Sequence, residues 1–169
     1  MRYVFVLFLF LSACGGLFEG PPVVSIEPAL QEYVDNFLVE GASRGHPIQI
    51  TDLIVRFSPD LGDNVLGECW TGGSSTPTIY ISMRYWPYET VVYRRIIMFH
   101  ELGHCVLNRE HELTGRIRNG YCTPSSIMWP YIIDETNMYL TNWNDYMVEL
   151  FTGVSTGPLC SFNNYWGGT

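Results

Sequence analysis

A chain of 169 residues, 47% hydrophobic and 15% aromatic, carries enough apolar material for one folded domain and too little length for two comfortable ones. Its formal net charge is −8, and all nine cations are arginines, scattered along the chain. A groove that tracks phosphates needs clustered cations, so this distribution argues against nucleic acid as a partner.

At the N-terminus, Arg2 precedes the apolar run Tyr3–Leu11, too short to span a bilayer but suited to a signal-peptide h-region. Leu11-Ser12-Ala13-Cys14 closely resembles a bacterial lipobox, in which cleavage precedes the cysteine and the cysteine is lipidated. The alternative is an ordinary secretory signal with an incidental cysteine. The resemblance implies a signal peptide over residues 1–13 and a lipid on Cys14, on a chain exported and anchored to a bacterial membrane, at the outer membrane or cell surface. Gly15 follows the cysteine, so nothing resembles an inner-membrane retention aspartate. Residues 14–28, with Gly15-Gly16 and Gly20-Pro21-Pro22, read as a tether, and 29–169 as the folded domain.

Export permits disulfides. Cys69, Cys105, Cys122 and Cys160 allow three pairings that sequence does not separate. Cys69–Cys105 with Cys122–Cys160 is the favoured set; buried free thiols are the alternative. Cys105 is not expected to ligate a metal with His100, since five residues along a helix turn it about 140° away.

Along the domain, Leu30, Tyr33, Val34, Phe37 and Leu38 recur at helical spacing, predicting a helix from Ala29 to Ala42. Leu53, Val55 and Phe57 alternate as a strand does, and a short strand is expected around Val65–Trp70. A third strand covers Ile79–Met83, either internal or an exposed edge on which an extended peptide could pair. Pro87 is placed to start a helix whose apolar stripe is Val92, Ile96, Phe99 and Val106. After Asn108 the periodicity is lost through a stretch with Gly115, Gly120 and Pro124, and a last helix is expected within Trp143–Phe151. The order is that of an α+β fold.

The chemistry concentrates in Phe99–Glu112, FHELGHCVLNREHE. His100 and His104 lie one helical turn apart on one face, about 6 Å along the axis, where two imidazoles can close on one metal. Glu101, beside the first, can reach a water there, take its proton and return it to a leaving amine. A given H-E-x-x-H string arises by chance in on the order of one chain in a hundred of this length, so the spacing alone decides little. More telling, three of the four histidines fall between residues 100 and 111; His46 sits in a Gly-Pro loop and reads as structural. A continuous helix would carry His111 about 10 Å beyond His104, out of reach of the same metal. The helix must therefore stop near Leu107 and turn back, and Asn108 is among the few non-glycine residues that tolerate the left-handed region.

The segment resembles the active-site signature of the metzincin clan of zinc metallopeptidases. Pro124-Ser125-Ser126-Ile127-Met128-Trp129-Pro130-Tyr131 resembles the clan's Met-turn. The departures are Leu107 where the clan has glycine, and a third histidine eleven rather than ten residues after the first, with Glu110 at the usual spacing. The resemblance implies a single metzincin-like zincin domain: a small twisted, mostly parallel sheet, an active-site helix, an irregular lower part with the Met-turn and a C-terminal helix. It implies one zinc held by His100, His104 and His111, with Glu101 as general base and acid. Met128 would form an apolar floor beneath the metal, and Tyr131 is a candidate for oxyanion stabilisation. The implied activity is hydrolysis of peptide bonds in a protein or peptide substrate, by a monomer. Two other readings stand beside it: a lipid-anchored binding protein that keeps the fold without proteolysis, and a zinc site completed by Glu135 or Glu149.

Overall fold

The computed structural model of the chain describes residues 23–73, 75–131 and 136–161. Residues 1–13 and Cys14 lie outside these, as does Glu135. Strand β1 (Val24–Ile26) leads directly into helix α1 (Pro28–Ser43), whose first turn holds Pro28. The fold therefore begins before residue 29. Residues 24–26, read above as tether, pair in parallel with β2, a strand too short to show a period of its own. Helix α1 buries Leu30, Tyr33, Val34, Phe37 and Gly41, the stripe its spacing dictates.

The main sheet runs β1-β2-β4-β3, with β2 at Leu53–Ser58, β3 at Gly67–Trp70 and β4 at Thr78–Ser82. Strand β4 pairs in parallel with β2 and antiparallel with β3, so the sheet is mixed. This settles the position of the third strand: Thr78–Ser82 is internal, and β3 takes the open edge. Thr78, Ile79, Ile81 and Ser82 are all buried, as a strand flanked on both sides requires.

Pro87 does not start the long helix. It sits in a short 3-10 turn, Trp86–Tyr88, and helix α2 runs from Val91 to Leu107. Thr90 sets that start, because its hydroxyl accepts the Tyr93 N–H at 3.2 Å. Phe37 of α1 meets Phe99 of α2 edge-on, ring centroids 5.3 Å apart.

The stretch after Asn108 is more ordered than its lack of periodicity predicts. Strands β5 (Gly115–Arg118) and β6 (Tyr121–Pro124) form a hairpin, and β7 (Leu159–Cys160) pairs with β5 on the other side. Asn119 and Gly120 both take positive φ, 52° and 83°, as the tight two-residue hairpin turn demands. Helices α3 (Thr136–Thr141) and α4 (Trp143–Thr152) lie between β6 and β7. Met128, Tyr146 and Leu150 from this lower part join the core of α1, α2 and the sheet. Among the described residues no helix is long and apolar enough to cross a membrane.

Candidate metal centre

Helix α2 turns Ile96, Phe99 and Leu102 into the core, leaving His100, Glu101 and His104 on a cleft of about 680 Å³. The helix ends at Leu107, and Asn108 takes φ 53°, ψ 39° in the left-handed region. The backbone N–H groups of Asn108 and Arg109 both return to the Gly103 carbonyl, the latter at 2.9 Å, satisfying an acceptor the helix end would leave open. The reversal brings His111 back over the helix. His100 Nε2 lies 3.1 Å from His104 Nε2 and 3.3 Å from His111 Nε2.

These contacts are not hydrogen bonds within the histidine group. His100 Nδ1 donates to the Ile127 carbonyl at 2.9 Å, and His104 Nδ1 to the Arg109 carbonyl at 2.6 Å. A neutral imidazole with Nδ1 protonated presents a bare lone pair at Nε2. Two lone pairs facing each other at 3.1 Å form a donor pair that a cation would bridge. Extra protons are disfavoured: burial, together with the neighbouring imidazoles, pushes His100 down to about 4 and lowers His104 as well. Tetrahedral ligands at 2.0–2.1 Å from a metal stand about 3.3 Å from one another, the spacing found here. The donor set fits a metal ion, and each helical imidazole has the backbone acceptor that fixes its tautomer and orientation.

Glu101 is 6% exposed, and its carboxyl is raised to about 8, chiefly by burial and further by Glu68, against a hydrogen bond from the Cys69 backbone. Glu110 lines the same cleft but contributes no atom to the three-histidine group. Glu149 is buried and ion-paired with Arg109, and contributes no atom to the three-histidine group. Exposed His46 is also outside the group. Tyr131 stands on the cleft rim, 69% exposed.

Beneath the histidines, Ser126–Trp129 makes a tight turn: the Trp129 N–H reaches the Ser126 carbonyl at 3.3 Å, and the Met128 N–H reaches Ser126 Oγ at 2.9 Å. Met128 is fully buried against Gly103, the residue preceding His104. A Cβ at Gly103 would collide with Met128 Sδ and lie 3.2 Å from Leu150 Cδ1. Glycine inside a helix costs up to about 1 kcal/mol against alanine, and close packing over the turn is what it allows. Disulfides join Cys69 to Cys105, linking the open edge strand to α2, and Cys122 to Cys160, linking β6 to β7.

Motif spacing does not point to Gly103, Gly67 or Arg109. The two glycines carried a signal, since glycine inside a helix or strand marks a close approach. Arg109 carried none: its guanidinium donates to the Glu149 and Leu150 carbonyls at 2.8 and 2.7 Å, pinning the turn to the last turn of α4. Compared with known proteins, the chain matches no family profile, no curated protein and no solved structure.

Proposed function

We propose that the chain is a zinc-dependent metalloendopeptidase of metzincin type, working as a monomeric lipoprotein on a bacterial membrane. The observation that carries the reading is the convergence of His100, His104 and His111 through Nε2, with both helical Nδ1 atoms committed to backbone carbonyls. Three imidazoles suit zinc, although copper, iron and nickel accept the same donors. Zinc held there would polarise a scissile carbonyl and make a water beside it more acidic.

The chain's own groups account for the remaining steps. Glu101 takes a proton from the attacking water and returns it to the leaving amine. An extended peptide would lie along the cleft that β3 lines, with Tyr131, on the same lining, as the candidate for stabilising the carbonyl oxygen. Met128 packs the floor under the histidines, excluding water from below.

The test is Glu101→Gln. Wild-type protein should hold about one zinc per chain by elemental analysis and cleave a peptide library. The variant should keep zinc and its circular-dichroism spectrum, with cleavage reduced about 10²–10⁴-fold. Equal cleavage by both would refute the mechanism. A zinc-loaded wild type that cleaves nothing would leave the binding-protein reading in its place.

A further inference from the structure

Strand β3 is phased against β4 so that the Leu66 carbonyl accepts the Ser82 N–H at 3.0 Å, while Gly67 and Cys69 lie opposite Ile81 and Ile79. Alternate residues of an antiparallel ladder turn their backbone groups away from the partner strand. The N–H groups of Gly67 and Cys69 therefore face the open edge. There the Glu101 carboxylate lies against β3 beside Gly67, with the Cys69 N–H as the backbone donor that lowers its carboxyl against the burial that raises it. Gly67 has no side chain, and a Cβ at that position would lie 2.8 Å from Glu101 Cγ and 2.9 Å from Oε1. A third link is covalent, since Cys69 is bonded to Cys105, the residue after His104 on α2. The residue that supplies the donor is thus tied to the helix that carries the acceptor.

We infer that Cys69 is a positioning residue for Glu101: its bridge to Cys105 fixes the edge strand against α2, so that the Cys69 amide aims the carboxylate while Gly67 keeps the space for it. The inference rests on the reading of Glu101 as general base. Cutting the bridge leaves the metal ligands braced, because His100 and His104 lean on Ile127 and Arg109, neither of which is on β3. What is lost is the aim of one carboxylate. A reacting group displaced by about 1 Å can lose on the order of 10²-fold in rate.

The experiment uses the full zinc-loaded chain, with Cys69→Ala/Cys105→Ala and, separately, Gly67→Ala with the bridge intact. In both, kcat at saturating fluorogenic peptide should fall about 10–100-fold, with zinc content unchanged. A bridge that only stabilises the fold lowers Tm and leaves kcat of the folded enzyme alone; that result, or a change confined to KM, overturns the inference. If the double variant fails to fold, Gly67→Ala decides by the same criterion. Amide exchange supplies a readout independent of activity. The Cys69 amide should be protected although it lies on an open edge, and Glu101→Ala should speed its exchange at least about tenfold. Unaltered exchange overturns the contact. Release of a protected Cys69 amide by Glu101→Ala, in a protein that cleaves no peptide, would support the contact and count against the peptidase reading alone.

Discussion

The half of the molecule above the cleft and the half below it are held together by different means. Above, α1, α2 and the four-stranded sheet bury Leu30, Phe37, Val55, Ile79 and Phe99 against one another. Below, the hairpin and the turn under the histidines hang on two arginines, Arg118 buried and Arg109 half-buried. Arg118, 6% exposed, donates to Thr123 Oγ1 at 3.0 Å and to the Pro124 and Ser125 carbonyls at 2.5 and 3.0 Å, and lies over the Tyr146 ring. Arg109 does the same for the turn that returns His111, through Glu149 and the end of α4. The candidate metal centre sits on the seam: the upper half supplies two imidazoles and the carboxylate, the lower half the third imidazole and the carbonyl behind His100. Apolar burial tolerates a loose turn, whereas a returning histidine has to be placed in three dimensions, and directional donors do that.

If that contrast holds, removing one charge below the cleft should do what an exposed arginine never does. Arg109→Met leaves Glu149 buried without its partner and should cost roughly 3–5 kcal/mol in chemical denaturation. Arg109→Met combined with Glu149→Leu should recover most of it; a variant at wild-type stability would show that the lower half does not depend on the pair. At the seam, Gly103→Ala drives a methyl into Met128 and should cost about 1–3 kcal/mol, with Met128→Ala in the same chain restoring part of the loss. Additive losses in that cycle would mean the two residues do not touch.

The smallest effect is a slope. In chelator-treated protein, His100 titrates near 4 instead of 6.5, so between those values the unfolded chain holds a proton the folded one lacks, and stability rises with pH. His104, also lowered, adds to the same slope. Glu101 titrates near 8 instead of 4.5; over that interval the folded chain holds the extra proton, and stability falls as pH rises. The two oppose each other up to about pH 6.5, and Glu101 acts alone from there to about 8. Thermal melts should therefore decline across that upper window in the metal-free wild type and stay level in metal-free Glu101→Gln.

The upper half was legible because its forces leave a period. Leu30, Tyr33, Val34 and Phe37 mark α1 as plainly in sequence as in space, and so do Ile79 and Ile81 for β4. The helix stop was legible for another reason: His111 can approach His100 and His104 only if the helix breaks, and Asn108 was the residue able to break it. The lower half was read as irregular because four-residue strands are too short for alternation to register. Asn119-Gly120, a strong hairpin signal, stood in the sequence without two clear strands to flank it. Thr90 displaced Pro87 as the start of α2 because a side-chain cap fixes a terminus where proline only permits one. Nothing in a linear pattern announces that Arg109 and Glu149, forty residues apart, will meet.

The two bridges also have an order in time. Cys69 pairs with Cys105 and Cys122 with Cys160, each with the next of the four along the chain, so the closed loops follow one another without nesting or crossing. In a polypeptide that emerges N-terminus first, the first loop can close before the second begins to appear. Among these four thiols, oxidation in that order, each joining the next to arrive, gives the native pairs directly. Pairing in that order needs an oxidant and no reshuffling afterwards.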